Sequence, residues 1–148
     1  MNELTIDKII SDINSLTKGA CQLVEYINDE LVIEIPSSQL CKTIEFLVQG
    51  HESIHLSTIT IDIDNSAPDY IHALYHFWEN ISCSLLVKLD TKNPELDSII
   101  SLIPGADFYE REAAEMYGIR FANRESTPAL LLPDDYKGAP PMLIKKEK

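Results

Sequence analysis

Apolar residues recur at close to the period of an α-helix over residues 4–17, with polar residues between them. This spacing predicts an amphipathic helix over these residues, with Lys18-Gly19 following it as a stop signal. Residues 20–35 then hold two β-rich runs around a turn-forming cluster at 28–30, which predicts an antiparallel hairpin. The chain is therefore expected to begin with one helix and two strands.

A second helix is predicted from Ser37 or Ser38, either of which can act as its N-cap, to about Gly50. Its apolar side is formed by Leu40, Cys41, Ile44, Leu47 and Val48. A helix with one apolar side is expected to pack that side on a core.

Strand periodicity dominates the middle of the chain. Isoleucines alternate with polar residues over 55–64, and the opposite parity of the apolar residues before Ser57 predicts a β-bulge at that point. The aromatic-rich segment 70–78 and the apolar segment 84–90 are expected to form a second hairpin with Asn80 in its turn.

Helical spacing returns in two adjacent segments. Residues 93–105 have a proline near their start, space their apolar residues as a helix does and end in Pro-Gly. Residues 107–118 open with Asp107 and Glu110 at capping-box spacing and end at Gly118, which can adopt the left-handed cap conformation. Both segments are predicted to be helices.

The helix predicted over 107–118 has two distinct faces. Its apolar stripe consists of Tyr109, Ala113, Met116 and Tyr117. A ladder of charges at i, i+4 spacing consists of Asp107, Arg111 and Glu115. We expect the apolar stripe to pack on the protein and the charged face to be free for recognition.

The C-terminal tail, residues 122–148, follows a different pattern. A continuous helix or a central strand is excluded by Pro128, Pro133, Pro140 and Pro141. The tail nevertheless carries consecutive leucines at 130–132 and further apolar residues at 142–144. We expect this apolar surface to be covered by a partner, while the alternatives are that the tail folds back over the chain's own sheet or is disordered.

Composition and charge limit the classes of protein to which this chain can belong. A chain of 148 residues with 45% hydrophobic and 24% charged residues is typical of one globular domain. A net charge of −12 disfavours nucleic acid and a bare membrane surface as partners. Because the N-terminus lacks signal-peptide features and no apolar run reaches the roughly 18 residues of a membrane span, a cytoplasmic location is expected.

Cysteine and histidine spacing gives little support for a metal centre. An odd number of cysteines without a CxxC pair indicates reduced, buried thiols, at Cys21, Cys41 and Cys83. Two His-x3-His pairs have the spacing of metal ligands on a helix: His51 with His55 and His72 with His76. A strand would separate the members of each pair by about 13 Å, so ordinary, partly buried histidines are the preferred interpretation.

Carboxylates near the C-terminus allow two interpretations. Glu110, Glu112 and Glu115 could supply an acid/base pair, but three acids beside Arg111 are more simply a salt-laddered helix face. The acidic pair at 134–135 could coordinate a cation, although its PDDYKG context also fits a turn. No catalytic, cofactor-binding or metal-binding residue is therefore assigned.

The segments EREAAEMYGIRF (110–121) and LLLPDDYKGAPP (130–141) resemble the C-terminal signature of the C-subunit family of respiratory complex I, the 30 kDa subunit type of NADH dehydrogenase. The family includes counterparts in F420H2 dehydrogenases and in energy-converting, membrane-bound NiFe hydrogenases. The chain departs from the family over 123–129, where many members have His-Pro and later basic residues, and again after residue 141. These departures favour the hydrogenase-like branch over the quinone-reductase branch.

The resemblance implies a scaffold subunit that has no cofactor of its own. The implied partners are a NiFe-hydrogenase large-subunit-like protein, over which the tail would lie, and a small-subunit-like iron–sulfur protein. These neighbouring subunits would carry iron–sulfur clusters and, in the hydrogenase-like branch, a NiFe centre. The residues expected at the partner interface are Glu110, Arg111, Glu112, Tyr117, Phe121, Leu130, Leu131, Leu132, Pro133, Asp134, Asp135 and Tyr136.

Together these observations predict an α/β (α+β) protein, with one compact domain over 1–121 that has a mixed β-sheet covered by helices. An extended, Pro-rich, partner-docking tail is expected over 122–148. The expected function is assembly, as a non-catalytic subunit in the peripheral arm of an energy-converting hydrogenase or complex I-like oxidoreductase at the cytoplasmic membrane. The alternatives are a subunit of a quinone-reducing NADH or F420H2 dehydrogenase, a generic acidic interaction module, and a small stand-alone enzyme that uses Glu110 or Glu112.

Overall fold

A computed structural model describes residues 6–27, 30–50, 54–63, 69–78 and 82–143 of the chain. In chain order the helices and strands are α1 (Ile6–Leu16), β1 (Gln22–Ile27), β2 (Glu30–Glu34), α2 (Leu40–Gly50), β3 (His55–Ile63), β4 (Tyr70–Trp78), β5 (Ser82–Asp90), β6 (Glu95–Asp97), α3 (Asp107–Tyr117) and β7 (Arg120–Ala122). Short 3-10 turns precede α2 and α3. Across the described ranges, none of the helices is long and apolar enough to cross a membrane.

The main sheet has five strands in the order β1-β2-β5-β4-β3. Strands β2 and β5 are parallel and the other neighbours are antiparallel, so the sheet is mixed, as predicted. Both predicted hairpins form. Residues 28–29 of the first turn and Asn80 of the second lie outside the described residues, and Glu30, expected in the first turn, begins β2. The register of β3 shifts between Leu56 and Thr58, which confirms the bulge predicted at Ser57.

The core lies against one face of this sheet. Alternate residues of β4 are almost completely buried there: Ile71, Ala73, Tyr75 and Phe77. Helices α1 and α2 contribute to the same cluster Ile9, Ile13, Leu40, Ile44 and Leu47. Because complete burial of a large apolar side chain stabilises a fold by roughly 1.5–3 kcal/mol, this packing is the main source of stability.

The helix predicted over 93–105 does not form, and this prediction was wrong. The segment instead contains β6, which pairs in parallel with β7, and the backbone N–H of Arg120 donates to the carbonyl oxygen of Pro94 at 2.8 Å. Leu96 and Ile99 are buried, as their helical spacing suggested, but they reach the core from a strand and a turn. Pairing with a distant part of the chain thus overrides the local preference.

Neither predicted N-cap forms. The serines at 37–38 lie within the 3-10 turn before α2, and the residue that caps this turn, Pro36, makes no side-chain cap hydrogen bond. Asp107 is the first residue of α3 and not its N-cap. The carboxylates of Asp107 and Glu110 accept hydrogen bonds from the Arg124 guanidinium, so the apparent capping box serves a different contact.

Gly118 ends α3 in the predicted left-handed conformation, with φ 70° and ψ 22°, and its N–H donates to the carbonyl oxygen of Ala114 at 3.0 Å. A Cβ atom at this position would lie 3.0 Å from Cγ of Pro140 in the tail. Glycine is therefore favoured both by the backbone conformation and by the closeness of the tail.

We expect Gly118→Ala to lower the free energy of unfolding by about 1–2 kcal/mol, because an L-residue is strained at this φ value. Urea unfolding at neutral pH measures the change. Gly105→Ala is the matched control, since no heavy atom lies within 4 Å of its added Cβ and its φ lies outside the left-handed region. Equal stability of the two variants would contradict this account of the turn.

Candidate partner interface

Helix α3 directs Glu110 into the protein, where its side chain is completely buried. Its carboxylate accepts hydrogen bonds from the Ser98 hydroxyl at 2.7 Å, the Ile99 backbone N–H at 2.7 Å and the Arg124 guanidinium at 2.8 Å. A buried carboxylate is tolerated only when its charge and lone pairs are satisfied in this way. Glu110 therefore ties α3 to the segment after β6 and to the start of the tail.

The burial of Glu110 argues against the alternative that Glu110 and Glu112 act together as an acid/base pair. Glu112 lies two residues further along α3 and is exposed to solvent. Residues at i and i+2 of a helix do not share a face, so the two carboxylates do not face one pocket. They do not form the carboxylate pair that general acid/base catalysis would require.

Arg111 connects α3 to the tail. Its Nη2 group donates to the carbonyl oxygens of Pro128 and Ala129 at 3.0 and 3.3 Å, and its Nη1 group lies 3.6 Å from the carboxylate of Asp107. The charged face of α3 was predicted to be free for recognition. In this structure the chain's own tail occupies part of that face.

Glu115 makes the most extensive contact between α3 and the tail. Its carboxylate accepts hydrogen bonds from three consecutive backbone N–H groups, those of Leu130, Leu131 at 2.9 Å and Leu132 at 3.0 Å. Burial alone would raise the pKa of the Glu115 carboxyl. The three amides and the nearby Arg111 guanidinium outweigh that effect and hold the pKa below its ordinary value of 4.5.

The rest of the described tail also returns to α3. The N–H of Tyr136 donates to the carbonyl oxygen of Pro133 at 2.9 Å, which forms the turn proposed for the PDDYKG segment. The N–H of Met142 then donates to the carbonyl oxygen of Met116 at 2.9 Å, and Leu143 packs against the core. The tail therefore lies along α3, and not over the sheet as one alternative held.

Only one side of the tail is covered by the chain. Leu130 and Leu132 are half-buried, whereas Leu131 between them is 56% exposed. Met142 is 52% exposed, and Tyr136 is also among the exposed large apolar residues. The backbone contacts of the tail thus leave three of its large apolar side chains, those of Leu131, Tyr136 and Met142, exposed.

The twelve residues predicted to form the interface fall into three groups. Buried within the protein are Glu110 and Phe121. Half-buried residues are Arg111, Tyr117, Leu130 and Leu132. Exposed residues are Glu112, Leu131, Pro133, Asp134, Asp135 and Tyr136. Contact of this set with a partner remains a prediction.

Two residues that organise this region, Glu115 and Arg124, were absent from the predicted interface. The i, i+4 spacing of Glu115 from Arg111 identified the face of the helix on which Glu115 lies. That spacing did not identify the tail amides to which Glu115 binds. Arg124 stood out only as a departure from the family pattern, yet its side chain is just 8% exposed and pairs with Asp107 at 2.6 Å. The residues next to Arg124 in the sequence give no indication that it pairs with Asp107, which lies 17 positions earlier.

His76 lies in a hydrogen-bonded cluster that crosses the main sheet. Its Nδ1 atom is 2.9 Å from the Glu30 carboxylate and 2.6 Å from the Ser84 hydroxyl, and its Nε2 atom is 3.1 Å from the Thr60 hydroxyl. Among the residues that the structure describes, which exclude His51, no group of three or more His, Cys, Asp or Glu side chains is placed to hold a metal ion.

The cysteines differ in their surroundings. Cys83 is buried, as predicted, and burial raises the pKa of its thiol to about 12. Cys21 and Cys41 are only half-buried, so the prediction of buried thiols was wrong for these two. All three are free thiols.

We expect the contact between Glu115 and the tail to weaken in acid. A carboxylate whose pKa is lower in the folded protein stabilises the fold fully above its unfolded pKa of about 4.5, and this contribution disappears as the pH falls through the lower folded value. NMR amide shifts of residues 130–132, followed from pH 6 to pH 2, should report this single titration.

In Glu115→Gln the pH dependence of these amide shifts should disappear. In Glu112→Gln, which alters the exposed side of the same helix, it should remain. An unchanged titration in Glu115→Gln would assign the contact to another group.

Known proteins provide an independent comparison. The family model for the respiratory-chain NADH dehydrogenase, 30 Kd subunit, matches residues 33–144. The C subunit of the F(420)H(2) dehydrogenase of Methanosarcina mazei is 33% identical over 101 residues, which cover 66% of this chain and 63% of that protein. The C subunit of the NADH-quinone oxidoreductase of Xanthobacter autotrophicus is 28% identical over 141 residues, which cover 92% of this chain and 67% of that protein.

Solved structures share the fold. A chain of the membrane-bound sulfane sulfur reductase, an archaeal respiratory membrane complex, aligns with a TM-score of 0.68 and 18% identity over 87% of this chain and 77% of its own. The trypsin-resistant fragment of Nqo5 aligns with a TM-score of 0.66 and 15% identity over 80% of this chain and 99% of its own. Because the family model spans most of the sequence, including α3 and the described tail, this chain belongs to the family of the 30 kDa subunit of respiratory-chain NADH dehydrogenase.

Proposed function

We propose that this chain is a non-catalytic scaffold subunit of an energy-converting NiFe hydrogenase or complex I-like oxidoreductase. In this proposal it docks through its tail onto a NiFe-hydrogenase large-subunit-like partner and also contacts a small-subunit-like iron–sulfur protein. Electrons pass through those neighbours, which carry the iron–sulfur clusters and, in a hydrogenase, the NiFe centre. The complex holds the chain at the cytoplasmic side of the membrane.

The observation that carries this proposal is the one-sided attachment of the tail to α3. Leu131, Tyr136 and Met142 remain exposed although the backbone beneath them is hydrogen-bonded. Exposed apolar residues on an ordered backbone are suited to docking, because little conformational entropy remains to be lost on binding.

Related proteins support the assignment to a respiratory, complex I-like assembly. They include subunits of an F(420)H(2) dehydrogenase and of an NADH-quinone oxidoreductase, together with a chain of a membrane-bound sulfane sulfur reductase. The net charge of −12 further favours a partner surface with positive charge. The departures of the tail from the usual family ending support the hydrogenase-like branch.

A second candidate is a subunit of a quinone-reducing NADH or F420H2 dehydrogenase. The 33% identity to a subunit of the F(420)H(2) dehydrogenase of Methanosarcina mazei favours it. The same docking surface would serve in either complex, so the identity of the large partner distinguishes the two candidates.

We expect Leu131→Asp to reduce recovery of the partner by about tenfold or more, because it places a charge in an apolar contact. The tagged full-length chain is purified from native membranes in mild detergent, and the co-purified subunits are quantified by mass spectrometry. Leu23→Asp is the matched control, since Leu23 on β1 is 54% exposed and lies outside the tail.

Recovery of a NiFe-type large subunit would support the hydrogenase-like branch, and recovery of a quinone-linked one would support the second candidate. Full partner recovery with Leu131→Asp, or an equal loss with Leu23→Asp, would contradict docking through the tail.

A further inference from the structure

All three arginines of this acidic chain line one cavity: Arg111, Arg120 and Arg124. The cavity has a volume of about 460 Å³ and lies between the second half of α3, β7 and residues 124–128 of the tail. Two carboxylates, Glu115 and Glu125, also line it. Glu115 is already engaged by the tail amides, and each arginine has a carboxylate partner: Asp107 for Arg111, Glu95 for Arg120, and Asp107 with Glu110 for Arg124. The groups left to act on a ligand are therefore the guanidinium N–H donors that these pairs do not use.

Several hydrogen-bond donors around the cavity are not fully used. The Nε atom of Arg111 is buried and, within the described residues, has no hydrogen-bond partner. Arg120 is 65% exposed and pairs with Glu95, which is also exposed. An exposed ion pair of this kind contributes little, so an incoming anion can share Arg120. The tail residues Ser126 and Thr127 line the same cavity and can supply hydroxyl donors.

The remaining wall of the cavity is apolar and consists of Ala114, Ile119, Phe121 and Pro128, together with Gly118. A volume of this size falls within the range of small-molecule sites. The planar guanidinium group matches the two oxygens of a carboxylate. The combination suits an anionic head on a short apolar stem.

We propose that this cavity binds a carboxylate carried on a short aliphatic stem. Two sources share this chemistry: a free small dicarboxylate and the side chain of a glutamate on a neighbouring protein. Binding requires only this chain, so the site is independent of docking through Leu131.

The test uses the isolated full-length chain and follows the side-chain Nε–Hε resonances of its arginines by NMR. Glutarate is titrated at constant ionic strength, and glutaramide serves as the neutral probe of the same shape. Glutarate should shift the arginine resonances saturably, whereas glutaramide should leave them unchanged. Absence of a saturable shift, or an equal response to glutaramide, would overturn the proposal.

Two variants and one control variant locate the site. Arg120→Gln should weaken glutarate binding about fivefold, whereas Lys88→Gln, which removes one positive charge from a different exposed ion pair with Glu34, should not weaken it. Glu95→Gln should tighten binding about twofold because Arg120 is released from its internal partner. An equal loss in Lys88→Gln, or no tightening in Glu95→Gln, would contradict a direct role for Arg120.

A short alanine peptide with one central glutamate, and its glutamine counterpart, separates the two sources. Tighter binding of the glutamate peptide than of glutarate would assign the cavity to a protein side chain. Tighter binding of glutarate would assign it to a free dicarboxylate. Equal binding of the two peptides, with no response to glutarate, would exclude both sources.

Discussion

The arrangement of the tail depends on the carboxylate of Glu115, which accepts three consecutive backbone N–H groups at 130–132. A segment rich in proline cannot satisfy its backbone groups by forming a helix or joining a sheet. Here a side chain of α3 takes the place of a neighbouring strand. The fixed backbone in turn decides that Leu131 faces outward while the leucines on either side face the protein.

Helix α3 can hold the tail because it is itself anchored on other sides. Glu110 binds Ser98, Ile99 and Arg124 in the interior, and the Tyr109 hydroxyl donates to the carbonyl oxygen of Ser57 at 2.9 Å, at the bulge of β3. Removing one partner of a buried ion pair leaves the other charge unsatisfied, so such groups specify one arrangement strongly. The helix therefore links the main sheet, the β6–β7 pair and the tail.

Patterns within a few residues were enough to predict much of this fold. Alternation identified β3 and the two hairpins, the change of parity located the bulge at Ser57, and Gly118 marked the end of α3. The segment 93–105 was misassigned because its apolar spacing suits a helix, whereas its pairing with β7 depends on residues more than twenty positions away. Asp107 and Glu110 resembled a capping box because their spacing is the same whether they bind the helix backbone or Arg124.

The way in which the chain covers its own tail was predicted only in part for the same reason. Consecutive leucines beside prolines indicate that apolar side chains of the tail must be buried against something. Which of the leucines face the protein depends on the contact with Glu115. The central claim is that the tail is attached to α3, and hydrogen exchange of the isolated chain tests it most directly. The amides of Leu131, Leu132 and Met142 should exchange much more slowly than that of the exposed Lys137. Exchange of all four at the rate of an unstructured peptide would contradict the attachment of the tail to α3.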